Sequence, residues 1–405
     1  MAETYKAIKV SEHVWWVGAI DWALRDFHGY ATSRGSTYNA FLVKADKLTL
    51  IDTVKAPFKS EMLERIASVA DPGEIDVIVS NHSEMDHSGL VGELAGELGV
   101  STVYASRQGA RALSEHHIIE DVTVVEDGQE IDLGGVHLAF YETRMCHWPD
   151  SMVSFLKEDK LLFSQDAFGM HLAGNERFAD QIESSVLQYE LTKYYANILM
   201  HLAPFISKAL DKLGPLREQI EIVAPDHGPI YRNASDIDYV LDSYARWSAQ
   251  EKTDKAVIVY DTMWQSTAKM ARLVAEGLGE KDIAVRLMPL NGSHRSDVAT
   301  EVLEAGALIV GSPTLNNNIF PTLADCMTYL KGLKPKNLIG AAFGSFGWSG
   351  EAPKLLTALL EEMDVDVVAD PVRCRYVPTN EELASCRELG KTIGERLHAQ
   401  LAEVK

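Results

Sequence analysis

A cluster of potential metal ligands lies in the segment SNHSEMDHSGL, residues 80–90, directly after the apolar run IDVIV. The segment contains His82, Glu84, Asp86 and His87. Imidazole and carboxylate groups suit divalent transition metals. A strand end followed by a turn can direct such side chains toward one point. The alternative interpretation of this segment is a solvated polar loop.

Three further side chains follow apolar runs later in the chain. His147 lies in RMCHWPDSM after the run VHLAFYET, Asp166 lies in LLFSQDAFG, and His227 lies in EIVAPDHGPI. A lone histidine is more often an ordinary core or surface residue than a ligand. Here all the segments share one type of position, just past a predicted strand. Because loops at one end of a sheet sandwich converge, we expect these side chains to meet.

The elements that must position these groups change in character near residue 252. Before it lie short β-rich runs such as NAFLVKAD, LTLIDTV and DVIVSN, separated by turns and amphipathic helices. After it, strands such as AVIVY and LIGAAFGS alternate with helices such as TAKMARLVAEGL and APKLLTALLEEM. This alternation predicts a parallel sheet covered on both faces. We expect domains at 1–252 and 253–405, with the polar segment 250–255 as linker.

The first turn of the second domain has the composition of a phosphate site. Hydroxyls and backbone N–H groups at a helix N-terminus bind phosphate. The turn is not glycine-rich and has no Walker lysine, which disfavours a nucleoside triphosphate and favours a terminal monophosphate such as that of FMN. Its residues are Thr262, Met263, Trp264, Gln265, Ser266 and Thr267.

Two later loops strengthen the flavin prediction. GSPTLNNN and GSFGWSG follow the third and fourth predicted strands, beside the topological switch point where doubly wound sheets bind ligands. Polar groups there can contact the flavin edge, and Trp348 can cover a ring face; an ordinary packed tryptophan is the alternative. The residues expected at the flavin are Pro313, Thr314, Leu315, Asn316, Asn317, Ser345, Phe346, Gly347 and Trp348.

Composition excludes several other classes of function. The 405 residues carry a formal charge of −21, which disfavours nucleic acid and anionic membrane surfaces as partners. No apolar run reaches the ~18 residues of a membrane helix, and the N-terminal residues do not resemble a secretory signal. The scattered cysteines predict neither a cysteine metal site nor disulfides, so we expect a cytoplasmic protein.

The first constellation resembles the metallo-β-lactamase superfamily, with Glu84 in place of the second histidine of His-x-His-x-Asp-His. A carboxylate at this position favours iron as well as zinc. The second half resembles flavodoxin. Together HxExDH, HWPDS, DAFG and PTxNN resemble the flavodiiron protein family. This resemblance implies an N-terminal αβ/βα sandwich (α+β) and a C-terminal flavodoxin-like, doubly wound parallel α/β sheet.

The resemblance also implies a non-haem diiron centre. One iron would be held by His82, Glu84 and His147, the other by Asp86, His87 and His227, with Asp166 and a hydroxo or oxo group as bridges. The equivalent of His87 is not a ligand in every member of the family. His28 and Tyr195 resemble pocket positions that could donate a hydrogen bond or proton to bound oxygen species, although ordinary packing is the alternative. Cys146 is expected to point away from the metals.

The implied activity is reduction of O₂ to water, NO to N₂O, or both, with electrons delivered through FMN. The family forms head-to-tail homodimers, in some cases paired into tetramers, that bring each flavin close to the partner's irons. The chain lacks the paired cysteines of a rubredoxin module. The expected donor is therefore a separate rubredoxin, or the reduced deazaflavin F420H₂, which would make the protein an F420H₂ oxidase. Lys331, Lys334 and Lys336 would dock the donor, or form a solvated loop.

Two other functions compete with a diiron reductase. One is a zinc-dependent hydrolase of the glyoxalase II type with a fused flavodoxin domain. Glu84 and the flavin loops argue against it, because hydrolysis needs no flavin. The other is an electron carrier with a structural metal site, which a complete set of two-metal ligands disfavours.

Overall fold

The structure is a computed structural model that describes residues 5–404. Two compact units make up this part of the chain. The first extends to Tyr194 and includes Leu202–Ala245, and the second comprises Tyr195–His201 and the chain from Arg246 onward. No helix within residues 5–404 is both long and apolar enough to cross a bilayer.

The first unit contains two large β-sheets, two small two-stranded sheets and flanking helices. Its strands are β1 (Ile8–Lys9), β2 (Val14–Trp16), β3 (Ala19–Asp21), β4 (Asp26–Phe27), β5 (Tyr30–Ala31), β6 (Ser36–Tyr38), β7 (Phe41–Val43), β8 (Leu48–Ile51), β9 (Ile75–Ser80), β10 (Thr102–Ser106), β11 (Thr123–Val125), β12 (Glu130–Asp132), β13 (His137–Glu142), β14 (Met152–Leu156), β15 (Leu161–Gln165) and β16 (Ile222–Pro225). The helices are α1 (Lys59–Ala67), α2 (Met85–Ser88), α3 (Val91–Leu98), α4 (Arg107–Glu115), α5 (Ser184–Tyr194), α6 (Ala203–Leu213) and α7 (Ala234–Ser248).

The two large sheets of this unit form a sandwich. One has the order β1-β2-β7-β8-β9-β10-β11 and the other the order β12-β13-β14-β15-β16. Alternate residues of a strand face opposite sides. Phe41 and Val43 therefore join the core that also contains Leu138 and Phe140 of the second sheet. Leu42 packs on the opposite face in the core that contains residues of α1 and α3.

The second unit is built around one parallel sheet. Its strands are β17 (Thr253–Tyr260), β18 (Ala284–Pro289), β19 (Ala305–Gly311), β20 (Ile339–Phe346), β21 (Asp366–Val367) and β22 (Val372–Arg375). Its helices are α8 (Ser266–Gly279), α9 (Arg295–Val302), α10 (Pro321–Leu333), α11 (Ala352–Glu362) and α12 (Asn380–Val404). The order is β18-β17-β19-β20-β21, with β22 also paired to β20. This arrangement is the flavodoxin-like order 2-1-3-4-5, with its switch point between β17 and β19.

The predicted fold class is confirmed, with one correction at the linker. The segment 250–255 was expected to be irregular, but β17 already begins at Thr253. Lys255 pairs with Ala284 of β18, so its backbone belongs to the sheet despite its polar side chain. Polar composition alone does not separate a linker from the exposed start of a strand.

Candidate metal centre and cofactor cavity

The structure brings together all seven side chains that the sequence predicts as metal ligands. Each lies in a loop or short helix just past a strand of the sandwich. The strand ends that carry them converge, so groups far apart in sequence become neighbours. Four of them follow β9: His82, Glu84, Asp86 and His87. His147 follows β13, Asp166 follows β15 and His227 follows β16.

The first group of ligand atoms comprises His82, Glu84, His147 and Asp166, all within 4.8 Å of one another. His147 Nε2 lies 3.0 Å from Glu84 Oε2 and 2.8 Å from Asp166 Oδ2. His82 Nε2 lies 3.3 Å from the same Asp166 oxygen. These atoms surround a single point.

The second group comprises Asp86, His87 and His227. The Nε2 atoms of His87 and His227 are 3.1 Å apart, and each lies 3.4 Å from Asp86 Oδ2. Asp166 Oδ1 lies 3.4 Å from His227 Nε2 and 3.6 Å from His87 Nε2. The two oxygens of Asp166 therefore face different groups, which is the arrangement of a bridging carboxylate.

The spacing and burial of these atoms fit two bound cations. Metal–ligand bonds of about 2.0–2.2 Å place neighbouring ligand atoms roughly 3.0–3.4 Å apart. Within residues 5–404, His82 Nε2, Asp86 Oδ2 and Asp166 Oδ1 are buried without a hydrogen-bond partner. Burying unpaired polar atoms is costly, and metal coordination would remove that cost. The nitrogen and oxygen donor set suits iron or zinc.

The electrostatics of these side chains are dominated by burial and by close opposite charges. Burial opposes ionisation of Asp166, but His82 and His227 hold the pKa of that carboxyl well below its usual range. Burial also opposes protonation of His147, but hydrogen bonds to Asp166 and Glu84 raise its pKa to about 9. Burial lowers the pKa of His87 to about 4. The cluster thus holds carboxylates ready to balance cationic charge.

Surrounding backbone and side-chain groups fix the orientation of His227. Its Nδ1 lies 2.6 Å from the carbonyl oxygen of Thr37, which makes Nδ1 the donor and leaves Nε2 free to coordinate. The side chain of Asn39 donates to the carbonyls of Pro225 at 2.7 Å and Gly228 at 2.9 Å. The turn that carries His227 is therefore held on both sides.

A cavity of about 610 Å³ lies in the second unit, at the carboxyl ends of β17, β19, β20 and β22. This volume suits a nucleotide-sized ligand. Most of the predicted flavin contacts line it: Met263, Trp264, Ser266, Pro313, Thr314, Leu315, Asn316, Asn317, Ser345, Phe346, Gly347 and Trp348. Trp264 and Trp348 are 89% and 86% exposed, so neither is an ordinary packed tryptophan within this chain.

Three predicted flavin residues do not line this cavity. Thr267 is fully buried, with its Oγ1 2.9 Å from Ser345 Oγ, so it supports a lining residue. Gln265 is the exposed residue preceding α8. Thr262 Oγ1 is buried without a hydrogen-bond partner in the described chain, beside the N-terminus of α8, where a phosphate oxygen would satisfy it.

Comparisons with known proteins show which family models and structures the chain matches. Residues 36–228 match the family model described as ODP family beta lactamase, and residues 258–390 match flavodoxin. The structure of the rubredoxin oxygen:oxidoreductase from the anaerobe Desulfovibrio gigas is 44% identical, covers 98% of this chain and 100% of that one, and has a TM-score of 0.95. The flavodiiron protein of Giardia intestinalis is 32% identical, with 98% of each chain covered and a TM-score of 0.93. The chain is a member of the flavodiiron protein family. The nitric oxide reductase of Moorella thermoacetica is 41% identical over 96% of this chain and 98% of its own length.

The two predicted pocket residues of this flavodiiron protein have different positions. His28 Nε2 lies 3.7 Å from Glu84 Oε1, with its side chain 79% exposed, so it stands at the mouth of the first group. Tyr195 requires a correction. It begins the π-helix Tyr195–Leu199 in the second unit, and its ring packs on Trp247 at 5.1 Å. Adjacent residues of a helix point in different directions, about 100° apart. The tyrosine that faces the metal ligands is therefore the preceding residue, Tyr194, whose ring centroid lies 6.2 Å from that of His227.

The sequence interpretation of this family member also missed buried residues around the ligands. Asp226 Oδ2 lies 3.6 Å from His82 Nδ1. Its position directly before the predicted ligand His227 was the only sequence feature that could have indicated a place at the metal centre. The ring of His171 lies 4.6 Å from that of His227, and its Nδ1 lies 2.8 Å from Ser36 Oγ. Nothing in the spacing of His171 distinguishes it from an ordinary core histidine. Cys146 is buried, and burial raises the pKa of its thiol to about 12.

Two features of the flavodoxin unit were likewise visible only in the structure. Tyr376, the residue after β22, lines the cavity although its loop carried no recognised motif. Lys331 and Lys336, two of the lysines expected to dock a donor, form ion pairs with Glu362 at 2.6 Å and Asp364 at 2.5 Å. Their charge is partly balanced by acids of the same unit.

Proposed function

We propose that this flavodiiron protein is an oxidoreductase that reduces O₂ to water, NO to N₂O, or both, at a diiron centre supplied with electrons by FMN. The observation that carries the proposal is the position of Asp166, whose two oxygens face two separate groups of buried nitrogen and oxygen ligands. The names of close relatives support both substrates.

In this proposal seven side chains of the chain hold the irons. His82, Glu84 and His147 would hold one, Asp86, His87 and His227 would hold the other, and Asp166 would offer one oxygen to each. When bound, two ferrous ions and reduced FMN together supply the four electrons needed to reduce one O₂ to two water molecules. Conversion of two NO to N₂O and water requires two electrons and two protons.

The protein's own groups prepare the site for small substrates. The side chains of Glu84 and His147 are 11% and 17% exposed, while those of Asp86 and Asp166 are at most 5% exposed. The first group is thus the accessible side of the centre. His28 stands there with its imidazole 3.7 Å from Glu84, where it can deliver a proton to a bound substrate.

We further propose that FMN occupies the 610 Å³ cavity, with its phosphate at Thr262 and the N-terminus of α8 and its ring near Trp348. The electron donor is a separate rubredoxin; the alternative donor is the reduced deazaflavin F420H₂. The protein works as a head-to-tail homodimer, with the loop around the exposed Trp348 in the interface; residues 340–345 of β20 are buried within the chain and cannot take part. The four cysteines are all buried and unpaired, which fits a reducing cytoplasm.

The test is an anaerobic one. The purified protein is analysed for iron, zinc and FMN, reduced, and mixed separately with O₂ and NO while the flavin absorbance is followed. The proposal expects about two irons and one FMN per chain and rapid reoxidation of the flavin by at least one gas. Zinc as the sole metal, or reduced protein that neither gas reoxidises, would instead favour the hydrolase or the electron carrier.

A further inference from the structure

We propose that an apolar cleft in the first unit is an entry site through which O₂ or NO reaches the metal centre from the side of His227. The cleft has a volume of about 220 Å³ and is lined by residues of α5 and α7 together with Met170 and Tyr231. The inference rests on the proposed function, since it concerns the approach of the same substrates.

The inner wall of the cleft belongs to the two turns that carry metal ligands. Met170 lines the cleft, and its backbone N–H donates to the carbonyl of His227 at 3.2 Å. Tyr231 also lines it, and its hydroxyl donates to the carbonyl of Phe168 at 2.9 Å. A molecule in the cleft would therefore lie against the chain segments that position Asp166 and His227.

Met170 is the layer between the cleft and the turn that holds His227. Its side chain is fully buried, and a Cβ built on Gly228 would lie 2.7 Å from Met170 Cγ. Gly228 has a φ of +81°, which also favours glycine. The absence of a side chain at this glycine lets Met170 pack directly on the turn. The unbranched methionine side chain has several accessible rotamers, so it can move to admit a small molecule.

The chemistry of the cleft matches a weakly polar diatomic gas. Leu187, Leu191 and Val240 supply aliphatic walls, and the innermost of these, Leu191 and Val240, are buried. Ser184 and Ser235 are exposed at the opening. Apolar cavities of about 150 Å³ in proteins accept xenon or benzene and exclude water. The polar lining residues Gln188, Asp236 and Tyr239 are exposed or only partly buried, so the polar groups lie toward the opening and the aliphatic walls toward the inside.

The competing route runs through the accessible face formed by Glu84 and His147. A substrate arriving there would not pass Met170. Filling the cleft at Leu187, which lies on α5 and is only partly buried, separates the two routes without touching a predicted ligand. Leu187→Trp narrows the cleft, and Leu187→Ala widens it as the matched control.

The test combines xenon binding with gas kinetics. Crystals of the wild type and both variants are pressurised with xenon, a readout that does not depend on turnover. The reduced holoproteins are then mixed with O₂ and NO. We expect a xenon site in the wild type and in Leu187→Ala but not in Leu187→Trp. In Leu187→Trp the second-order rate constant for reoxidation should fall at least about threefold, with a raised KM and an unchanged kcat.

The outcomes distinguish the two proposals. Absence of xenon from the wild-type cleft, or a Leu187→Trp protein that reacts at the wild-type rate with full iron and FMN content, would overturn the entry site alone. A wild-type protein that neither gas reoxidises would overturn the proposed function itself.

Discussion

Among single residues, the proposed diiron centre depends most on Asp166. Only a carboxylate offers two equivalent oxygens to two cations, and the oxygens of Asp166 face different ligand groups. Asp166→Asn replaces one oxygen with an NH₂ group, which does not coordinate iron in this way. We expect iron content to fall from about two ions per chain to about one or less, with loss of gas reduction.

A matched substitution controls for the loss of a carboxylate. Asp180→Asn removes an acid that pairs with Arg232 at the surface of the same unit. It should keep both irons and the wild-type rate. Elemental analysis of the two variants and of the wild type, with FMN content as a folding check, decides the outcome. Full iron occupancy in Asp166→Asn would exclude the bridging role.

The protonation of His147 predicts how metal binding depends on pH. Hydrogen bonds to Asp166 and Glu84 outweigh burial and raise its pKa to about 9 in the metal-free chain, above the unfolded value of about 6.5. The protonated form therefore stabilises the metal-free fold fully below about pH 6.5, and this contribution is lost as pH rises through about 9. A metal must displace that proton.

Metal affinity should consequently increase between pH 7 and pH 9. Anaerobic titration of the metal-free protein with Fe²⁺ at the two pH values measures this dependence, and a pH indicator in weak buffer measures the released protons. His147→Gln should release fewer protons and show a flatter dependence. Equal affinities at pH 7 and pH 9 in the wild type would contradict the expected proton displacement.

At the level of secondary-structure elements, the proposed binding of the FMN phosphate at the turn between β17 and α8 makes a prediction about flavin affinity. Asp261 accepts a hydrogen bond from the backbone N–H of Thr262 at 2.7 Å and another from the hydroxyl of Thr322 on α10 at 2.5 Å. Thr322→Val removes the second bond, so the phosphate turn loses its tie to α10. A hydrogen bond to a charged group contributes about 1.5–3 kcal/mol, and we expect the Kd for FMN to rise about tenfold.

Fluorescence titration of the flavin-free protein with FMN measures this change. Thr357→Val is the matched control, because Thr357 on α11 donates to a backbone carbonyl in the same unit without contacting the phosphate turn. It should leave the Kd unchanged. A wild-type Kd in Thr322→Val would show that Asp261 holds the turn without Thr322.

The packing of α8 against α12 depends on glycines at their crossing. A Cβ on Gly277 would lie 2.0 Å from the carbonyl oxygen of Arg387, and one on Gly390 would lie 2.1 Å from that of Val274. Gly390→Ala forces the helices apart, and overpacking of this kind costs about 1–3 kcal/mol. Gly279→Ala, in the same helix as Gly277 with no atom within 4 Å, should be neutral or stabilising. Chemical denaturation of the two variants measures the difference, and equal stabilities would contradict the close packing.

The sequence alone predicted the metal ligands but not the residues packed around them. The ligands of β9, β15 and β16 were recognisable because a polar side chain just past an apolar run marks a strand end, where sandwich loops converge. Tyr194 could not be recognised in this way, because the choice between Tyr194 and Tyr195 depends on how the helix is rotated and not on composition. His171 and Tyr376 carried no local motif. Their roles arise from contacts between segments distant in the chain, which one sequence does not reveal.

At the scale of the whole molecule, the proposed head-to-tail dimer predicts complementation between defective chains. One chain would carry Asp166→Asn, which disables the irons, and the other Ser266→Trp, which fills the flavin cavity at a lining residue. Neither homodimer should reduce O₂ or NO. If each flavin serves its partner's irons, mixed dimers contain one competent pair and should recover activity.

The control for complementation is a purified mixed dimer, separated from both homodimers, in which one chain carries both substitutions and the other is wild type. Such mixed dimers retain a flavin and an iron centre only within one chain, so they should be inactive if electrons pass between chains. Activity in these dimers, together with none in the complementing mixture, would establish transfer within a chain. Sedimentation of each mixture confirms that dimers are present.

The proposed function requires two redox-active cations, one on each side of Asp166. Anomalous diffraction from crystals of the anaerobically purified protein, recorded on both sides of the iron and zinc absorption edges, tests it most directly. We expect two iron peaks, one among His82, Glu84 and His147 and the other among Asp86, His87 and His227, each next to one oxygen of Asp166. A single peak, or two peaks that appear only at the zinc edge, would contradict it.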